Sequence, residues 1–511
     1  MSRARSTFLV GGAAAVILGM LFIPYGPGLP APELRENREL APLPQWVPTR
    51  AGLGAYRKGM DAYVADNFPA RPYLIEAVNY VRYRLGYSGS RTVVVGRRGW
   101  LFFDDGTHLD HLRPSRLELA QAEAWVEKLR ARSAFVHAGG AHFLVFVPPV
   151  KERVYPELAP RWAAAPGVSD AELLANLAAA RQAGDVLLPL PALRAARASQ
   201  PYIYSPYDTH WSGYGAHVGY MQLMRSLARS GLSDAALPLA AFRQRAVDDS
   251  TATTPQDMAL MLGISGLIDQ HYPQVEPIAP VPKPVERFLT DRQDGYGDRV
   301  LYTGNVGEPV LLLSGDSFSW QLAPFLYPHF SKIVLSHTIR GFFRLDLIQR
   351  HKPNFVVLEV LERQVRNAMA DPVIGAFRDT TRVDVAAAAA DSAGGRAACS
   401  VDSLSRDVLD KGPATIRASG WAADVADGQL PGALGLVLQS PTHSYAMTFP
   451  GGLDRADVAQ AFHRPAVRYS GFDVTAPISP LAPGRYNIYV LEQFSRPQPR
   501  LCATGKTFDV P

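Results

Sequence analysis

The chain of 511 residues is poor in cysteine, in clustered charge and in regularly spaced metal ligands. Its histidines, cysteines and acidic residues show no spacing typical of a zinc site, so we predict neither a metal nor another cofactor. The net charge of +5 is spread out without a basic block, which argues against a nucleic-acid partner. With 47% hydrophobic and 19% charged residues, the composition is that of a folded protein, and the length suggests about three domains.

An apolar segment at the amino terminus predicts export. Arg3 and Arg5 precede the run Phe8 to Ile23, which Pro24 ends. The run is longer than the apolar part of a signal peptide, about 7–15 residues, and slightly shorter than a span of about 20. Basic residues ahead of it predict a cytoplasmic amino terminus and an exported remainder. We therefore interpret residues 1–28 as an uncleaved signal anchor, with a cleaved signal peptide as the alternative.

The run Pro309 to Gly315, followed by Asp316 and Ser317, carries the first chemical signal. A continuous apolar run is typical of a buried parallel strand, and glycine permits a sharp turn at its carboxyl end. Ligands bind at that edge of an open α/β sheet, and Ser317 would lie there beside the start of a helix. This arrangement suits a nucleophilic serine. An ordinary strand-to-helix turn with a capping residue is the alternative.

A nucleophilic serine needs a base, and the base needs an orienting group. Asp208 and His210 lie two residues apart on a predicted loop just ahead of a helix. At this spacing the carboxylate can hold one ring nitrogen while the other faces Ser317. Taken alone, a structural histidine and a turn aspartate explain the pair equally well, but each segment supplies what the other lacks.

The two segments together resemble a known family. Gly315-Asp316-Ser317-Phe318 resembles the nucleophile block of the SGNH (GDSL-type) hydrolases. The early Asp208-Thr209-His210-Trp211-Ser212 block resembles the permuted order of the alginate O-acetyltransferases of the AlgJ/AlgX type. Three further stretches fit the same family, so that the resemblance covers roughly residues 30 to 370: Asp66 to Arg71, Gly96 to Phe103 and Val147 to Glu157.

Strand and helix patterns alternate between residues 29 and 380. Apolar strands are predicted at Phe143 to Val147, Asp185 to Leu190, Pro309 to Gly315, Lys332 to Ser336 and Asn354 to Leu361. Alternation of this kind predicts right-handed crossovers and a mainly parallel sheet with helices on both faces. The expected fold is thus an SGNH-hydrolase-like, three-layer α/β/α domain with a five-stranded sheet. Residues 240 to 298 lack a clear pattern and are interpreted as an insertion.

Five other side chains are candidates for substrate binding. Lys151 and Arg153 follow a predicted strand at the cleft edge, with a solvated turn as the alternative. Arg340 and Arg344 follow the predicted strand Lys332 to Ser336, with salt bridging on a helix face as the alternative. Trp211 follows His210 directly.

The carboxyl-terminal part has a different texture. Residues 381–398 are rich in alanine and glycine and are interpreted as a linker, and residues 399–511 show short alternating segments separated by Gly and Pro. This spacing predicts a β-sandwich that is a possible carbohydrate-binding unit. Cys399 and Cys502 lie near its two ends, and in an exported chain they predict a disulfide, with two buried free thiols as the alternative.

The residues and the resemblance together predict an exported polysaccharide O-acetyltransferase with Ser317, His210 and Asp208 as its triad. The resemblance implies a periplasmic location at the inner membrane, other exopolysaccharide biosynthesis proteins as partners, and a membrane-bound O-acyltransferase as the source of acetyl groups. An acetylesterase, or a non-catalytic polysaccharide-binding scaffold, remains open at this point.

Overall fold

The computed structural model describes residues 39–511 except 107–108, 110–111, 164–166, 201, 233, 247–255, 269–274, 339–340, 342, 371, 376, 383–397, 408–413 and 494–499. The predicted signal anchor at 1–28 lies outside these residues, as does nearly all of the predicted linker at 381–398. Within the described part, no helix has both the length and the apolar character that crossing a membrane requires.

Two helices and a hairpin precede the central sheet. Helix α1 (Arg50–Asn67) begins at Thr49, whose side chain accepts the Gly52 N–H, and α2 (Arg71–Arg84) follows it. Strands β1 (Val93–Val95) and β2 (Leu101–Phe103) pair antiparallel across the turn Arg97–Gly99.

The central sheet has seven strands. They are β3 (His142–Phe146), β4 (Asp185–Leu187), β7 (Val285–Phe288), β8 (Arg299–Tyr302), β9 (Val310–Gly315), β10 (Lys332–His337) and β11 (Phe355–Glu359). Their order is β4-β3-β11-β9-β10-β8-β7. The first five in this order pair parallel, which confirms the five predicted strands. Strands β8 and β7 add an antiparallel edge; β7 lies in the segment interpreted as an insertion, and β8 directly follows that segment.

Helices cover both faces of this sheet. One face packs against α3 (Leu119–Ala138), α5 (Asp170–Ala180), α10 (Leu345–His351) and α11 (Val365–Ala370). The other face packs against α6 (Leu190–Ala196), α7 (Gly213–Arg229) and α9 (Phe318–Leu326). Leu311 and Leu313 of β9 point to the second group and Leu312 to the first, as the twofold period of a strand requires. The predicted three-layer fold is confirmed.

Three short elements complete this region. Helix α4 (Lys151–Val154) closely follows β3, and β5 (Arg243–Ala246) pairs antiparallel with β6 (Val275–Ile278). Helix α8 (Asp257–Leu262) lies beside the loop that carries Asp208 and His210, which is called the catalytic loop below because of its predicted role. None of the three was predicted, because each is short and lies in a polar or proline-rich stretch.

The carboxyl-terminal region consists of two antiparallel-rich sheets. Its elements are β12 (Val373–Ile374), β13 (Arg378–Asp379), β14 (Ala398–Asp407), β15 (Thr415–Ala423), β16 (Ala433–Gln439), β17 (Ser444–Phe449), α12 (Ala456–Ala461), β18 (Gly471–Pro477), β19 (Gly484–Gln493) and β20 (Arg500–Val510). The sheet orders are β12-β18-β15-β14 and β13-β17-β16-β19-β20, and both sheets contribute to one apolar core. Cys399 in β14 and Cys502 in β20 form a disulfide that joins the two sheets.

Candidate active site

Ser317 lies on a tight turn between β9 and α9. Strand β9 ends at Gly315, where a Cβ atom would come within 2.3 Å of the Glu359 carboxylate. Only glycine therefore lets the two neighbouring strands β9 and β11 approach here. One residue on, the Asp316 carboxylate accepts the Phe318 N–H at 2.9 Å and fixes the first turn of the helix. The turn leaves Ser317 half-buried at the carboxyl edge of the sheet, as predicted.

The structure brings Ser317, His210 and Asp208 into one chain of short hydrogen bonds. The Ser317 Oγ lies 2.6 Å from His210 Nε2, and His210 Nδ1 lies 2.6 Å from Asp208 Oδ1. These distances are those of a serine nucleophile in contact with its base and of a base held by a carboxylate. The contact joins residues on two loops that are 107 positions apart in the sequence.

Backbone groups fix the Asp208 carboxylate. Its Oδ1 also accepts the His210 N–H at 2.9 Å, and its Oδ2 accepts the Asp257 N–H at 3.0 Å. Asp257 in turn accepts the Thr209 N–H at 2.7 Å, so helix α8 clamps the catalytic loop from outside. Both oxygens of Asp208 are therefore committed, and the carboxylate cannot rotate without losing N–H donors.

A buried lysine holds the same loop from inside. The Lys151 Nζ donates to the carbonyl oxygens of Ser205 at 2.8 Å and Asp208 at 2.9 Å. Burial lowers the pKa of Lys151 to about 8. The ammonium group donates its hydrogen bonds to loop carbonyls, and Lys151 is buried, with only 3% of its surface exposed. The predicted contact between Lys151 and substrate is therefore wrong. Lys151 positions the loop that carries Asp208.

Trp211 links the loop that carries His210 to the turn that carries Ser317. Its indole N–H donates to the Phe318 carbonyl at 3.2 Å, which ties the histidine loop to the first turn of α9. The residue is 1% exposed, and so it offers no surface to a sugar. The predicted contact between Trp211 and substrate is wrong for this reason, and its packing instead sets the distance between the two loops.

The arginine candidates are paired within the protein. The Arg153 guanidinium lies 2.5 Å from Glu172 and 3.5 Å from Glu362, and the residue is buried. Arg344 lies 2.7 Å from both Asp298 and Asp346. These ion pairs correct the prediction that Arg153 and Arg344 bind the acceptor. Arg340 lies outside the described residues, and its predicted role stays a prediction.

The electrostatics favour an imidazole that binds its proton tightly. Burial lowers the pKa of His210, but the hydrogen bond and the negative charge of Asp208 outweigh it, and the pKa lies above its ordinary value. Burial also raises the pKa of Asp208, and its contacts with His210 lower it to about 2. Asp208 is therefore a carboxylate throughout the neutral range, and the proton resides on the imidazole.

Sequence reasoning missed Asp257. Its carboxylate lies 3.9 Å from His210 Nδ1, and its charge adds to the raised pKa of the imidazole. Asp208, His210 and Asp257 also place ligand atoms within 4.8 Å of one another, a spacing compatible with a cation. Both Asp208 oxygens and Asp257 Oδ1, however, already accept N–H groups of the protein. The sequence signal was weak, since Asp257 lies in a segment without periodicity.

A second pair of acids lies beneath the nucleophile. Glu359 is fully buried at the end of β11, and its Oε2 accepts the Asp316 N–H at 2.8 Å. Burial and the neighbouring Asp316 hold the pKa of Glu359 well above its usual range, and burial raises the pKa of Asp316. Glu359 therefore supports the turn as a neutral acid, in keeping with a buried group that lacks a cationic partner among the described residues.

An aromatic wall borders the other side of His210. The Trp320 ring lies 6.4 Å from the imidazole at an angle of 22°, and Tyr296 meets Trp320 edge-on at 5.2 Å. Trp320 is half-buried and Tyr296 is 45% exposed. These two partly exposed rings form an apolar surface next to His210.

The chain is similar to several known proteins. Residues 93–346 match the family model described as an SGNH hydrolase-like domain, acetyltransferase AlgX, and this span includes all three triad residues. A probable alginate O-acetylase AlgJ of Pseudomonas fluorescens is 25% identical over 343 residues, which cover 62% of this chain and 80% of that protein. Its counterpart in Pseudomonas aeruginosa is 27% identical over 268 residues, 52% of this chain and 65% of that protein. Among solved structures, the O-acetyltransferase domain of Pseudomonas putida AlgJ is 21% identical, with a TM-score of 0.35 over 55% of this chain and 94% of that one.

Proposed function

We propose that this chain is an exported O-acetyltransferase that acetylates hydroxyl groups of an exopolysaccharide, because residues 93–346 match the family model of the SGNH hydrolase-like acetyltransferase domain of AlgX. The contact between Ser317 Oγ and His210 Nε2 at 2.6 Å is the observation that carries the proposal. The relatives named as alginate O-acetylases make alginate, or a polymer of similar chemistry, the first acceptor to test.

The first half-reaction forms an acetyl-enzyme. Ser317 Oγ attacks the carbonyl carbon of an acetyl donor while His210 Nε2 takes the hydroxyl proton. The Asp208 carboxylate stabilises the imidazolium that results. When the tetrahedral intermediate collapses, the bond to the donor oxygen breaks and the leaving alcohol receives the proton from His210. The Ser317 N–H, at the start of α9, is the oxyanion donor that we assign.

The second half-reaction returns the enzyme to its starting state. A sugar hydroxyl gives its proton to His210 and attacks the acetyl carbon, and the Ser317 Oγ leaves with that proton. We place the acceptor ring against Trp320 and Tyr296, the half-exposed aromatic side chains next to His210. Water in place of the sugar would give an acetylesterase, so access to the acetyl-enzyme decides between the two activities.

The setting of the enzyme is part of the proposal. We assign residues 1–28 to an inner-membrane anchor, 29–380 to the catalytic domain and 399–511 to a β-sandwich that assists glycan binding. The disulfide between Cys399 and Cys502 supports a periplasmic location, since disulfides persist in oxidising compartments. A membrane-bound O-acyltransferase that delivers acetyl groups, within an exopolysaccharide assembly, is the partner that an acetyl-CoA-free compartment requires.

An assay with an activated acetyl ester tests the function. Purified protein is mixed with the ester, with and without oligosaccharide acceptors that include oligoalginate, and products are separated by mass. We expect acetylated oligosaccharide that requires Ser317. Free acetate alone, at a rate that acceptors do not alter, would identify an esterase. Absence of any Ser317-dependent turnover would support the scaffold alternative.

The raised pKa of His210 predicts the pH dependence. The imidazole must be neutral to accept a proton, so activity falls as the pH drops through a pKa that lies above the ordinary histidine value. Because the Asp257 charge contributes to that raised pKa, Asp257→Asn should move this acidic limb to lower pH. The measurement is kcat/KM against pH for both proteins. A uniform loss of activity with an unmoved midpoint would show that Asp257 acts only on structure.

A further inference from the structure

A large groove opens beside the loop that carries Asp208 and His210. It has a volume of about 570 Å³ and lies between α2, the turn Arg97–Gly99 and the segment around Tyr207. A concave space of this size suits a ligand of several rings. Tyr207 both lines the groove and immediately precedes Asp208, so the groove borders the loop that carries the triad acid.

The groove is positively charged. Arg84 and Arg98 line it, both side chains are exposed, and no carboxylate is among the described lining residues. Arg98 has no ion pair or hydrogen bond within the described part of the chain. Arg84 donates to the Tyr80 hydroxyl at 3.1 Å and has no acidic partner there. Glu76, the acid of α2, is buried and accepts the Gly266 N–H. The two guanidinium groups are therefore free to receive an anion.

The walls of the groove are aromatic. Tyr80, Tyr83 and Tyr207 are half-buried along it, and the Tyr83 hydroxyl donates to the Gly99 carbonyl at 3.0 Å. Burial and the neighbouring Tyr207 raise the pKa of Tyr83 to about 12, so this hydroxyl keeps its proton and continues to hold the turn. In that turn Arg98 has φ 56°, a conformation that non-glycine residues rarely adopt and that presents its side chain at the rim.

We propose that this groove binds a carboxylate-bearing segment of the acceptor polysaccharide, adjoining the residue that is acetylated. Guanidinium forks pair with carboxylates in a bidentate way, and tyrosine rings pack against the faces of sugar rings. The charge and the concave shape together favour an acidic glycan over a lipid surface, since a membrane would bind a protruding patch. The proposal rests on the acetyltransferase function for the identity of the ligand.

Binding to the full-length protein tests this inference independently of catalysis. The Ser317→Ala protein is titrated with an oligouronate hexamer and with cellohexaose, which has the same length and no charge. The double variant Arg84→Gln/Arg98→Gln is compared with Arg57→Gln/Lys58→Gln, which removes two exposed charges from the neighbouring α1. We expect the first double variant to raise the Kd for the oligouronate about tenfold or more and to leave that for cellohexaose unchanged. The control should change neither value.

Three results would overturn the inference. These are an unchanged Kd for the oligouronate in Arg84→Gln/Arg98→Gln, an equal loss for both oligomers, and, in a parallel titration with vesicles of anionic phospholipid, a loss of binding confined to the vesicles. The activity assay separates this outcome from the fate of the proposed function. If Ser317-dependent acetyl transfer is normal and the arginine substitutions have no effect, only the proposed glycan-binding groove is wrong. If the glycan binds in a charge-dependent way but no turnover is found, only the proposed acetyltransferase function is wrong.

Discussion

Replacing Ser317 with alanine is expected to lower kcat for acetyl transfer by about 10⁴-fold or more. The Ser317 hydroxyl is the only protein group in the proposed reaction that forms a bond to the acetyl carbon, so no neighbouring side chain takes over its role. The Ser317 Oγ contacts His210 Nε2 at the half-exposed mouth of the site, so its removal should leave the fold intact. Transfer to oligosaccharide and release of acetate are measured together, alongside a thermal melt.

The control for this prediction is Ser331→Ala. Ser331 lies at the opposite end of the same strand pair, and its hydroxyl makes a single long hydrogen bond, 3.3 Å, to the Pro309 carbonyl. This variant should retain full activity. If Ser317→Ala instead keeps most of its transferase activity while folded, a different nucleophile operates, and the triad assignment is wrong.

The central fold could be predicted because its parallel strands are buried on both faces. Such strands are continuous apolar runs, as in Leu311 to Leu313, and need no partner to be recognised. The antiparallel edge strands Val285–Phe288 and Arg299–Tyr302 are different. They are four residues long, and three of the four residues of Val285–Phe288 are exposed, so their sequence resembles a polar loop. Arg299–Tyr302 is a strand because it pairs with β10, and Val285–Phe288 because it pairs with Arg299–Tyr302; neither pairing is visible in the local sequence.

The contact of Asp208, His210 and Ser317 could be predicted because each of these residues lies at a turn with its own local signature. Its supports could not be predicted in this way. Asp257 acts only because the Tyr207 carbonyl accepts the N–H groups of Met258 and Ala259 and so docks α8 on the catalytic loop. Lys151 stands in a charged tripeptide typical of a solvated turn, yet the chain buries it against loop carbonyls. The charged side chains near the cleft thus indicated the correct region of the fold, but they contact groups of the protein and not the substrate that was predicted.

The second large effect is expected for Asp208→Asn, with a fall in kcat of about 10⁴-fold. The Asp208 Oδ1 accepts from His210 Nδ1 and the His210 N–H, and Oδ2 accepts from the Asp257 N–H. An asparagine in either orientation turns its NH₂ group toward one of these donors. If the NH₂ group faces Nδ1, the imidazole carries its proton on Nε2 and cannot accept the proton of Ser317. In the opposite orientation, the NH₂ group meets the Asp257 N–H and displaces α8.

The chain contains a matched control for Asp208→Asn. Asp234 and His329 form another aspartate–histidine pair, with 3.0 Å between Oδ2 and Nδ1, but the other nitrogen of His329 contacts the Tyr220 hydroxyl instead of a serine. Asp234→Asn should leave kcat and its pH profile unchanged. In Asp208→Asn the acidic limb of the remaining activity should also move to lower pH, because the hydrogen bond and the charge that contribute most to the raised pKa of His210 are gone. Residual activity that keeps the original pH profile would mean that Asp208 is not the group that controls the imidazole.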